Sequence, residues 1–120
     1  IQDSVRDRLT GLLWKQVTDL AGPVDWGQAL AAITRLDSLF DNQHGWRLPN
    51  INELESLIDS GAHNPALPAG HPFLSLQDAY WSSTTSLYEP DWAWALYLNK
   101  GATGVGQKSQ ARFHVWAVRD

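Results

Sequence analysis

The chain has 120 residues, enough for one core in a single domain spanning 1–120 and too few for two ordinary domains. Hydrophobic residues at 43% and charged residues at 18% place it among globular chains, and no apolar run approaches the roughly 20 residues that cross a bilayer. The absence of cysteine removes disulfides, thiolate metal sites and cysteine nucleophiles, and a net charge of −4 argues against the broad basic face that nucleic acid requires.

The charge is unevenly spread. Residues 1–91 carry −7, whereas residues 92–120 carry +3 through Lys100, Lys108, Arg112 and Arg119 against Asp120. This leaves room for a local anion site, although cations of this kind also guard exposed strand edges. No basic-then-apolar leader opens the chain at Ile1 and methionine is absent, which fits an excised domain or a processed chain, with room for an export signal upstream.

Residues 4–16, SVRDRLTGLLWKQ, place short apolar runs on either side of Thr10-Gly11 and predict a hairpin, closed by the breaker pair Gly22-Pro23. From Asp25 the period changes. Trp26, Leu30, Ile33, Leu36, Leu39 and Phe40 recur at three- and four-residue spacing, the mark of an amphipathic helix, with Asp25 as N-cap and Gln28 three later. The run Asp41-Asn42-Gln43-His44-Gly45 stops it. A second helix opens after Trp46-Arg47-Leu48-Pro49. Asn50 is its N-cap, Glu53 the reciprocal partner, and Ile51, Leu54, Leu57 and Ile58 its apolar stripe, ending near Ser60-Gly61. Pro49 holds the chain extended just before the cap.

Residues 61–78 form a breaker-rich loop, long enough to mark function or mobility. It holds His63 and His71 near Asp59 and Asp78, without a spacing that enforces metal geometry, so ordinary loop histidines and no metal or cofactor are expected. Three strands follow: AYWSSTT (79–85), WAWALYLN (92–99) and RFHVWAVR (112–119). In the second, Trp92, Trp94, Leu96 and Leu98 share one face; in the third, Phe113, Val115 and Ala117 oppose His114, Trp116 and Val118. Asn99-Lys100-Gly101 is a turn, and Gly104 and Gly106 weaken the segment that follows it. Ser82, Ser83, Thr84 and Thr85 make a hydroxyl cluster expected to bond locally. The fold class is α+β: a hairpin, two helices, a long loop and an antiparallel meander.

Seven tryptophans are the compositional outlier. Most should serve a small core. Trp92, at its strand's start beside Tyr88-Glu89-Pro90-Asp91, is the best candidate for an exposed platform. No Ser/His/Asp order, His-Glu-x-x-His motif or phosphate loop suggests catalysis.

Three pieces in order, VRDRLTGLLW (5–14), WRLPNINELESLID (46–59) and YWSST (80–84) with WAWALYL and a closing VWAVRD, resemble the Lcl C-terminal domain family of a bacterial collagen-like adhesin. The Arg-Leu-Pro-x-x-x-Glu-Leu core is also similar to formylglycine-generating enzymes, and both resemble the C-type-lectin-like fold. The resemblance implies a mixed domain whose first and last strands lie side by side. It makes Trp46 and Leu48 core, Arg47 a partly buried cation needing a carboxylate or backbone carbonyls, and Asn50 with Glu53 the cap, a scaffold rather than an active site. Formylglycine chemistry needs cysteines that are absent here. Glu89-Pro90-Asp91 is similar to the calcium- and sugar-binding tripeptides of C-type lectins, without the later Trp-Asn-Asp half, so Pro90 is expected to shape the turn.

The expectation is a non-enzymatic binding module of a bacterial surface or secreted protein, outside the cytoplasm, engaging glycans or sulfated polysaccharides. Lys100, Lys108 and Arg112 would meet anionic groups, or Trp92 and Tyr88 would stack on a neutral sugar. The alternative is a structural domain for homo-oligomerisation or protein contact. No nucleic-acid partner and no membrane span are expected.

Overall fold

The computed structural model describes residues 4–39, 45–63 and 65–120. Along the chain run β1 (Ser4–Arg6), β2 (Leu13–Lys15), α1 (Trp26–Leu39), α2 (Ile51–Glu55), β3 (Ala79–Thr85), β4 (Trp92–Tyr97), β5 (Ala102–Gln107) and β6 (Val118–Arg119). They make two three-stranded antiparallel sheets, in the orders β1-β2-β6 and β3-β4-β5. The hairpin turns at Gly11, whose φ of 77° suits a residue without Cβ. The chain's two ends do meet, but β6 pairs with β2 (Trp14 opposite Val118) and not with the first strand.

Both helices start where local chemistry places them. Gln28 N–H donates to Asp25 Oδ1 at 2.8 Å and Asp25 N–H to Gln28 Oε1 at 3.1 Å, so α1 opens on a reciprocal cap. Its inward face differs from the expected stripe: Ala29 and Ile33 are buried, while Leu30 is 37% exposed. Trp26, Ala29, Ile33 and Leu36 keep helical spacing and form the face that packs on the core around Trp46, Trp81 and Val115. Phe40 and the stop at residues 41–44 lie outside the described residues.

The second helix is shorter than its apolar stripe. After Glu55 the bonds run three residues back, Leu57 N–H to Leu54 and Ile58 N–H to Glu55, and Ser56 Oγ takes up the Glu53 carbonyl at 2.6 Å. Leu57 and Ile58 still pack on the core from this turn. The long loop is stitched down: Ala66 N–H bonds Leu98 O, Leu74 N–H bonds Gln16 O, and Thr18 N–H bonds Leu74 O. The buried Thr18 hydroxyl meets the Tyr80 hydroxyl at 2.9 Å, and burial raises the Tyr80 pKa.

Residues 112–119 do not form one long strand. Only Val118–Arg119 is regular, with Arg47 bridged to Val118, and the rest is an extended segment held by single bridges from Phe113 to Val24 and from His114 to Tyr80. Its alternation survives: Trp116 and Val118 enter one core with Trp14, Leu54, Tyr80, Leu96 and Leu98, under α2 and the loop. Val115 and Ala117, with Phe113 packed alongside, enter the other with Ile33, Trp46, Trp81 and Ala93, under α1. The segment is therefore the wall between two cores.

The run between the Asn99-Lys100-Gly101 turn and Lys108, weak on sequence, is a full strand paired along β4 from Tyr97↔Ala102 to Trp92↔Gln107. Its glycines are packing devices. A Cβ at Gly104 would lie 2.6 Å from Tyr97 Cε2, and one at Gly106 would lie 2.5 Å from Phe113 Cε2 and 2.9 Å from Ala111 Cβ. The Phe113 ring cannot retreat freely, since it packs on Trp81 at 4.7 Å between centroids. Gly106→Ala is therefore expected to lower stability by about 1–3 kcal/mol through overpacking, measured by urea unfolding; an unchanged midpoint would refute this packing role.

Candidate functional site

The stretch from Trp46 to Glu53 holds the scaffold on which any surface rests. Trp46, Leu48 and Pro49 are buried, and the backbone of Arg47 between them exchanges bonds with Val118 at 2.8 and 3.0 Å, adding a rung beside β6. The Arg47 guanidinium grips Glu53 with both ends of its fork, Nη1 to Oε1 at 2.7 Å and Nη2 to Oε2 at 2.6 Å, and Nη2 also reaches Asp120 at 2.9 Å. Glu53 meanwhile accepts the Asn50 N–H at 2.9 Å and donates its own N–H to Asn50 Oδ1 at 2.8 Å. The hydrogen bonds from Arg47, helped by the Asn50 N–H, hold the Glu53 carboxyl below the usual glutamate range despite the opposing effect of burial. The carboxylate in turn raises the Arg47 pKa. Trp46 carries two cations above its ring, Lys15 Nζ at 4.6 Å and Arg119 at 5.8 Å from the centroid.

Helix α2 is joined to β3 at an irregularity. The β3–β4 register shifts between Trp81 and Thr85. There Ser82 Oγ donates to Trp94 O at 2.7 Å, Ser83 N–H bonds Pro49 O, and Thr84 Oγ1 accepts Ile51 N–H at 3.0 Å. The hydroxyl cluster is thus structural: it replaces ladder bonds lost at the bulge and docks the start of α2.

Beyond the reach of this short helix the same face of β4 opens. Leu96 and Leu98 are buried with Leu54, whereas Trp94 and Trp92 remain half-buried. They stand two residues apart, about 7 Å along the strand. Val105 lies opposite Trp94 and Gln107 opposite Trp92 on the same face, and Val105 is 38% exposed. The indole N–H groups of Trp26, Trp81 and Trp116 bond to backbone carbonyls. Those of Trp92 and Trp94 have no protein partner among the described residues, nor are they sealed in the interior. Two partly exposed indoles, each with an N–H that no protein group takes among the described residues, thus lie two residues apart on this face.

The Lcl C-terminal domain family matches residues 3–119, nearly the whole chain. The chain belongs to this family. No curated protein matches it.

The residues expected to bind ligand in this Lcl C-terminal domain are not gathered in one place. Lys100 is exposed at the β4–β5 turn, and Lys108 follows the other end of β5, about 20 Å away at roughly 3.3 Å per residue. Lys108 is also engaged: its ammonium lies 4.1 Å over the Trp26 ring and donates to Thr85 Oγ1 at 2.9 Å. Strand alternation puts Lys108 on the Ala93 face, opposite to Trp92. Arg112 is exposed beyond that same end of β5. Tyr88 is 91% exposed on the turn before Trp92, beside Leu87 at 93%. Glu89 and Asp91 are exposed, their carbonyls taken by the N–H groups of Trp92 and Lys108. Among the described residues no three His, Asp or Glu side chains converge on a metal-sized site.

Trp94 was the residue that sequence reasoning passed over. Its signal was present in the Trp92-x-Trp94 alternation, but aromatic alternation by itself reads as core. The scaffold has a measurable consequence in acid. Because Glu53 titrates lower in the folded protein than in the unfolded chain, its contribution is complete above the ordinary glutamate pKa of about 4.3 and fades as pH falls through its lowered value. Urea midpoints of the natural chain should therefore drop more steeply on acidification than those of Glu53→Gln, the two converging at low pH; parallel acid limbs would contradict this. Asn50→Ala should cost about 1 kcal/mol near neutral pH, read from the same unfolding curves.

Proposed function

We propose that this domain is a non-enzymatic glycan-binding module of a bacterial surface or secreted protein, and that its ligand seat is the Trp92–Trp94 face of β4. The observation that carries this reading is the pairing of two half-buried indoles on one strand face with free N–H donors. Sugar rings present C–H groups of partial positive charge to an aromatic face, and their hydroxyl oxygens accept from donors such as the indole N–H. The wide separation of Lys100 from Lys108, and the commitment of Lys108 to Trp26 and Thr85, favour stacking over a cationic patch for sulfated chains. Tyr88, exposed on the turn just before Trp92, offers a further aromatic surface to the same ligand. A C-type-lectin-like ancestry of the fold belongs to the same reading; the pairing of the chain's ends through β2 and β6 supports it.

An assembly domain that joins copies of its parent protein is the second reading, favoured by the exposed Leu87 and Tyr88 on the β3–β4 turn.

A glycan array probed with the purified domain, in calcium and in EDTA and at low and high salt, tests the proposal. Binding to neutral sugars should persist in EDTA and in high salt, and Trp94→Ala should weaken it about tenfold or more, equal to about 1.4 kcal/mol or above. Binding confined to sulfated glycans and abolished by salt would overturn the stacking seat, and loss in EDTA alone would transfer the site to Glu89 and Asp91.

A further inference from the structure

The strand β5 is an outer member of its sheet, with β4 on one side only. Its phase follows from the pairing. Lys108 N–H bonds Asp91 O at 2.8 Å, and the β4–β5 register continues that pair through Gly106↔Ala93, Gly104↔Ala95 and Ala102↔Tyr97. In an antiparallel ladder the residues between hydrogen-bonded pairs turn their backbone groups the other way. Thr103 and Val105 therefore point both N–H and C=O outward, and Gln107 its N–H; the Gln107 carbonyl is taken by Gln110 and Ala111. No backbone partner meets the outward groups of Thr103 or Val105 among the described residues.

Strand edges in folded proteins are normally blunted by a charge, a proline, a bulge or a covering loop. The strand ATGVGQ has no charge and no proline, and its register with β4 is unbroken over six residue pairs. The cations of this region lie at its two ends instead. Lys100 is exposed at the turn that opens β5. Arg112, also exposed, lies between Ala111 and Phe113, the two residues that crowd the Gly106 position. Neither side chain forms an ion pair among the described residues. A second copy of β5 laid antiparallel on this edge would bring like charges together at both ends, so self-pairing is disfavoured.

We infer that the β5 edge is a docking site for an extended polypeptide with a short uncharged, alternating centre and acidic residues at both ends, which adds a fourth strand to the β3-β4-β5 sheet. Backbone bonds to Thr103, Val105 and Gln107 supply the binding, and the charges at Lys100 and Arg112 set the position of the partner's ends. On one face its side chains meet Val105 beside the Trp92–Trp94 platform, and on the other they meet the Tyr97–Phe113 ring pair, 5.7 Å between centroids. This inference does not rest on glycan binding.

The probe is a fluorescent blocked peptide with a central Val-Thr-Val-Thr-Val run and two aspartates at each end, titrated into the domain while anisotropy is followed. Saturable binding is expected, with slowed amide hydrogen exchange at Thr103 and Val105. Val105→Pro removes one outward N–H while leaving the bonds to β4 in place, and it should weaken the peptide about tenfold or more at unchanged melting temperature. Lys100→Glu should weaken it as well, more at low salt than at high. If Val105→Pro unfolds the domain, Thr103→Pro or the exchange pattern of the natural chain decides. Equal binding of a peptide with the same charges and a proline-broken centre would overturn the inference, since charge alone would then explain it. So would absence of binding, or self-association of the domain abolished by Val105→Pro, which would assign the edge to a second copy.

Discussion

The segment from Phe113 to Val118 is the constraint on which the structure depends. It runs through the interior, so each backbone N–H and C=O that it carries must find a protein partner. Much of this demand is met by borrowing from several elements. Phe113 exchanges bonds with Val24, His114 bonds Ala79 and Trp81, the carbonyls of Val115 and Ala117 accept from Leu20 and Lys15, and Val118 exchanges bonds with Arg47. A regular sheet partner for the whole segment would occupy the volume that the two cores need. The single bridges let its side chains alternate freely between them, with Trp116 and Val118 on one side and Val115 and Ala117 on the other. The aromatic content follows from this geometry. Trp116 alone touches Trp14, Phe73 and Tyr80 with centroids at 5.2, 4.8 and 5.1 Å.

Arg47 transmits that constraint to the surface. Its backbone is a rung beside Val118, and its guanidinium holds the Glu53 carboxylate that caps α2. The start of α2 is then fastened to the bulge in β3 through Thr84 and Pro49. Because the helix starts at that point and runs from there toward Leu98 and Gly101, it covers Leu96 and leaves Trp94 and Trp92, at and before its N-terminus, half open. The candidate seat is thus a by-product of where a helix starts, which is set by the cap and by hydrogen bonds at the adjoining β3 bulge. Its neighbour, the bare edge of β5, has a different origin: glycines that admit the Tyr97 and Phe113 rings leave the strand with few side chains to guard its rim.

Local features were legible in the chain. The two reciprocal caps, Asp25 with Gln28 and Asn50 with Glu53, require only residues three apart, and such short-range geometry survives in almost any tertiary setting. The hairpin around Gly11 and the alternation of β4 are of the same kind. What could not be read were matters of relative placement. Gly104 and Gly106 lower strand propensity, and the strand exists because neighbouring rings occupy the missing Cβ positions. Lys100, Lys108 and Arg112 look like a cluster as text, yet a strand separates the first from the others. The inward face of α1 includes Ala29 rather than Leu30, because the helix's rotation is set by its packing on the core around Trp46, Trp81 and Val115 and not by its own periodicity.

By itself the sequence determined the two helix starts with their caps, the first hairpin, the alternation of β4 and membership of the Lcl C-terminal domain family, since each rests on residue identity and spacing. Only the tertiary structure decided which tryptophans stay half open, which cations are already engaged, and which strand is left as an edge. Those properties depend on what packs against each residue, and contacts between distant segments leave no periodic trace in the chain.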